Sequence, residues 1–162
     1  MKLCRFNTAK LGLVEHDSVL DVTAALDLLP RSTYPFPRHD VFIEHLESVK
    51  SRVVELLPAA TRLPLDAVRL VSPVANPGKI MAAPVNYTKH LEEAREQSAI
   101  HHNNRIEEIR RVGLFLKANS SLCGPNDTVV IPRNSIKTDW EVELGVVIGQ
   151  RASYVDFENA LD

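Results

Sequence analysis

The chain has 162 residues, 44% of them hydrophobic and 25% charged, which suits one domain, or one small module plus part of another, with a real core. A formal net charge of -2 and a pI near 6.3 exclude the basic footprint of a nucleic-acid binder. Only two cysteines, Cys4 and Cys123, exclude a disulfide scaffold and a four-cysteine zinc site, and they read as reduced thiols of an intracellular protein.

In chain order, "KLCRFN" and "KLGLVEH" alternate imperfectly and predict short strands, and "SVLDVTAAL" predicts a strand entering a short helical turn. "LPRSTYPFPRHD" holds three prolines and no period, so it predicts a loop. From Asp40, a candidate N-cap, Phe42, Leu46, Val49, Val53 and Leu56 fall on one helical face. "VRLVSPVANPGK" breaks the pattern and marks a module boundary. Beyond it, "KIMAAPVNY" predicts a strand and turn, and Thr88 to about Val112 a polar helical segment, interrupted near Asn103 and Asn104. "GLFLKANSSL" predicts a strand, "GPNDT" a turn and "VVIP" a short strand. "DWEVELGVVIG" predicts the longest strand, and "SYVDFENALD" a loop entering a helix. Arg110 and Arg111 stand beside Glu107 and Glu108, as on a mixed helix face. No run approaches the roughly 18 apolar residues of a membrane span, and no signal-peptide core opens the chain. The expectation is a soluble, cytoplasmic protein without a membrane or nucleic-acid partner.

Strand alternation puts Glu141 and Glu143 on one face, with Trp140, Val142 and Leu144 on the other. Two readings fit: a solvated strand face, or a pair of metal ligands. The switch to a continuous apolar run at Leu144 and the repulsion of neighbouring like charges favour a cation in a cleft. Carboxylate oxygens suit a hard divalent ion: magnesium, manganese or calcium. A further oxygen ligand is then needed. Asp139 shares the parity but lies about 13 Å along the strand from Glu143; Asp156 and Glu158 are the other acids nearby.

His90 and Glu93 stand at i, i+3, so a helix places them together. They read either as an incidental surface pair or as an imidazole held by a carboxylate to activate water. Adjacent His101 and His102 point about 100° apart on a helix and are assigned to a solvated face. Lys117 either snorkels to water or anchors a substrate carboxylate or an enolate oxygen.

Together and in order, "KIMAAPVNYTKHLEEA", "LFLKANSSLCGPNDTVVIP" and "DWEVELGVVIGQRA" resemble the fumarylacetoacetate hydrolase family from about Lys79 to Asp162. The family pattern has an N-Y-x-x-H-x-x-E segment, an F-x-K strand before a serine pair, and a D-W-E-x-E-L strand. The resemblance implies an α+β, mainly β chain: a small α/β N-terminal module (1–73), then the first part of a mixed β-roll catalytic domain (78–162), as a homodimer in the full-length protein. It implies Glu141 and Glu143 as two of three carboxylates holding magnesium or manganese, His90 and Glu93 as a water-activating pair on a mobile lid, and Lys117 in the substrate cavity. It further implies hydrolysis of a carbon–carbon bond in a small 2-oxo or diketo acid through a metal-stabilised enolate. Decarboxylation or isomerisation in aromatic catabolism uses the same chemistry, and a non-catalytic fragment is the remaining alternative. The sequence departs from the pattern where Pro84-Val85 replaces a glycine before the N-Y pair, and Arg95 to Gly113 is long. The third carboxylate is expected beyond Asp162, and the chain is accordingly expected to be the N-terminal part of a longer enzyme.

Overall fold

A computed structural model describes residues 1–96 and 109–161. The chain forms two compact units, one of Met1–Asn76 with Cys123–Asp162, the other of Pro77–Leu122.

The first unit is built on an antiparallel meander. Strands β1 (Leu3–Phe6), β2 (Lys10–Glu15) and β3 (Ser18–Asp21) follow one another through tight turns. Asn7, Thr8 and His16 take positive φ in those turns, a region that Asn and His enter more readily than most residues. Strands β4 (Thr61–Pro64) and β5 (Leu70–Val71) extend the sheet at its two edges, giving the order β4-β3-β2-β1-β5. Both edge strands fall in stretches that sequence patterning left without a strand.

Helices α1 (Val41–Glu44) and α2 (Leu46–Leu56) cover one face of this sheet. Asp40 caps α1 as expected: its Oδ1 accepts from the backbone N–H of Phe42 at 3.1 Å and of Ile43 at 3.4 Å. The single helix predicted here is split at His45. Its apolar face is the predicted one. Val49 and Val53 are fully buried against Leu11, Val22 and Ala25, with Phe42 and Leu56 packed at the margin. On the opposite face, a Cβ at Gly12 would lie 2.3 Å from Val19 Cγ1 and 3.1 Å from Cys4 Sγ. Only glycine admits that approach.

The later segment of this unit joins through the predicted Gly124–Asp127 turn. Arg69 Nη2 pairs with Asp127 Oδ1 at 2.5 Å, and a Cβ at Gly124 would meet Leu70 O at 3.0 Å. Beyond it the structure corrects two expectations. "VVIP" is not a strand, and neither is "DWEVELGVVIG": residues 137–149 lie outside every ladder of the described residues. A strand exists only with a neighbour in register, and period-2 patterning does not supply one. Trp140 and Val142 are each 81% exposed, and Ile148 is 69% exposed. The closing stretch forms one 3₁₀ turn, Phe157–Asn159.

In the second unit, β6 (Ile80–Ala82) pairs antiparallel with the strand β7 (Phe115–Lys117), Ile80 opposite Lys117 and Ala82 opposite Phe115. Between them lie α3 (Thr88–Glu96) and α4 (Ile109–Val112). Gly113, at φ 74°, ends α4 by donating its N–H to Ile109 O at 2.7 Å. The middle of the predicted lid, with His101 and His102, lies outside the described residues. Among the described residues no helix is long and apolar enough to cross a membrane.

Candidate active site

α3 carries His90 and Glu93 one turn apart. Their Nδ1 and Oε2 atoms are 3.9 Å apart, close enough for charge attraction with a protonated ring but too long for a hydrogen bond. Both side chains are more than half exposed, so an imidazole there is open to water and is steered by its neighbour without being clamped. The helix is entered through Val85, whose φ of 45° is unusual for a β-branched residue. Val85 belongs to the Pro84-Val85 pair expected to replace a family glycine, and sequence patterning showed nothing of its backbone conformation.

Lys117 ends β7 and is exposed, on the same strand face as Phe115. It belongs to the same unit as His90 and Glu93.

Glu141 and Glu143 lie in the other unit, on the stretch that forms no strand, and both are exposed. The shared cleft expected for them is therefore not formed, because the sheet that would define its wall is not built along these residues. Their oxygens have the right hardness for magnesium or manganese. Among the described residues, however, no group of three or more His, Cys, Asp or Glu side chains is gathered as a metal requires. Asp139 turns an oxygen back to accept from the Trp140 N–H at 2.9 Å, and Asp156 and Glu158 sit at the last 3₁₀ turn. The donor chemistry fits a hard cation, while the donor set stops at two carboxylates.

Residues 79–162, which hold all five candidate side chains, match the fumarylacetoacetate (FAA) hydrolase C-terminal family, and the chain belongs to that family. Its α+β architecture agrees with that of a solved relative. The structure of maleylpyruvate hydrolase from Sphingobium sp. SYK-6 in complex with manganese(II) ion and pyruvate matches with a TM-score of 0.58 at 34% identity, over 82% of this chain and 43% of that one. Maleylpyruvate hydrolase from Aquipseudomonas alcaligenes is 49% identical over the whole of this chain, which covers 57% of the relative. 2,4-Didehydro-3-deoxy-L-rhamnonate hydrolase from Sphingomonas sp. (strain SKA58) is 38% identical over 99% of this chain and 49% of the relative. The chain thus spans about half the length of the curated relatives it matches.

Proposed function

We propose that these residues are the first half of a divalent-metal-dependent hydrolase that cleaves a carbon–carbon bond in a small 2-oxo acid, maleylpyruvate being the leading substrate. The observation that carries this reading is the His90–Glu93 pair, side by side on α3 within the family match. Two relatives alignable along nearly the whole chain are hydrolases, which favours hydrolysis over decarboxylation or isomerisation.

His90 takes a proton from water while Glu93 stabilises the imidazolium that forms. The resulting hydroxide adds to the acyl carbonyl carbon remote from the pyruvoyl unit. The bond between them breaks, its electron pair leaves as the pyruvate enolate, and the proton held on His90 returns to the enolate carbon. Lys117 offers a positive charge to that enolate or to the substrate carboxylate. Glu141 and Glu143 would hold magnesium or manganese (calcium suits the same donors), whose contribution is Lewis-acid stabilisation of the enolate. The third carboxylate would come from the half of the relatives' length that this chain does not span. By family resemblance the full-length protein is assigned as a cytoplasmic homodimer.

The test uses a polypeptide of the relatives' full length, with manganese and maleylpyruvate. Pyruvate should be released. His90→Gln should cut kcat by roughly 10² to 10⁴ without changing manganese affinity, and Glu141→Ala should remove manganese binding while the fold survives. Carbon dioxide release, or substrate loss without pyruvate, would replace hydrolysis with one of the rival reactions. A second reading, that this 162-residue chain is inactive by itself, is favoured by the exposed carboxylates and the incomplete donor set.

A further inference from the structure

The first unit holds a cavity of about 490 Å³ between the β1–β2 turn, the proline-rich loop and the start of α1. None of its lining residues is among the five assigned to hydrolysis. Leu26, Leu29, Phe36 and Phe42 make its wall apolar, and the volume falls in the range of small-molecule sites. Arg5 also lines it. This half-buried guanidinium donates to two neutral acceptors, Ser72 O at 2.8 Å and Thr8 O at 2.9 Å. No carboxylate of the described residues lies within ion-pairing distance of it.

The other charges on the wall are already committed. Lys10 pairs with Asp21 at 2.9 Å, and His39 with Glu44 at 2.8 Å. Asp40, the wall's one acid, accepts from four backbone N–H groups: Phe42 and Ile43 on Oδ1, Ala75 and Asn76 on Oδ2. Arg5 is therefore the wall's uncompensated charge. A guanidinium has five N–H donors, so those left over from two carbonyls suit a carboxylate.

We propose that this cavity binds a small organic acid with an apolar or aromatic body, its carboxylate on Arg5 and its body against Leu29, Phe36 and Phe42. Benzoate and its neutral isostere benzamide are the probes, followed by ligand-observed NMR on the 162-residue chain. Benzoate should bind saturably, and benzamide roughly tenfold or more weakly. Arg5→Met should remove the difference. Phe36→Ser, at a side chain 69% exposed, should weaken both probes. Equal affinity for the two probes in the unaltered chain would overturn the proposal even if Arg5→Met failed to fold. So would the absence of saturable binding at millimolar benzoate, or unchanged binding in Phe36→Ser.

Discussion

Val85 shows how much a single backbone position costs near the candidate site. A β-branched side chain at φ 45° is strained by about 1–3 kcal/mol, part of which glycine would recover against its own greater freedom in the unfolded chain. Val85→Gly should raise the unfolding free energy from denaturant titration by up to about 1 kcal/mol; a lower free energy would show the position unstrained. Three carboxylates make the fold acid-sensitive. Burial raises the Asp21 carboxyl, but hydrogen bonds from Lys10 and Thr23 outweigh it and hold it below its ordinary range. Arg62 depresses Glu15, and Arg69 with the Gly124 N–H depresses Asp127. A depressed acid contributes stability above its unfolded pKa and loses it as pH falls through the folded value. The urea midpoint should accordingly hold steady near neutrality and drop below about pH 4, and Asp21→Asn should flatten that drop. His90, Glu93 and Lys117 were legible as residue types at family spacing, while the conformation of Val85 was not, since φ depends on the turn that the flanking elements impose.

Among the elements, α2 shows where patterning works. Val53 is fully buried and Val54 is 57% exposed, one position apart on the helix. Val53→Ala should cost roughly 2 kcal/mol by chemical denaturation, and Val54→Ala no more than about 0.5 kcal/mol. Equal costs would mean that the apolar face is misassigned. The strands β1–β3 and the Asp40 cap were equally legible, because alternation and capping are local, whereas the pairing of those strands into a meander comes from the structure. The edge strands β4 and β5 were not: Thr61–Pro64 and Leu70–Val71 are strands only through their ladders with β3 and β1. Residues 139–149 fail in the other direction, with strand-like spacing and no ladder among the described residues. Amides of Val142 and Val146 should exchange rapidly in this chain and gain protection in a polypeptide of the relatives' full length. Protection already present in the 162-residue chain would refute that difference.

For the molecule as a whole, the side chains of Trp140, Val142, Val146, Ile148 and Phe157 are each exposed, which water does not favour. The chain should bind a hydrophobic dye such as ANS strongly and self-associate as concentration rises. With manganese and maleylpyruvate it should release little or no pyruvate, for want of a complete carboxylate set. Robust turnover would oblige a third ligand to be found among Asp139, Asp156 and Glu158. Residue order alone determined the family, the existence of the first three strands and the buried face of α2, and it nominated the five candidate side chains, since each rests on chemistry and spacing within a few neighbours. Tertiary structure decided the edge strands, the capture of residues 75–76 by Asp40, and the exposure of Glu141 and Glu143. The physical reason is that ladders, clefts and coordination spheres are made by groups distant in sequence, and spacing along one segment does not say which distant group will meet it.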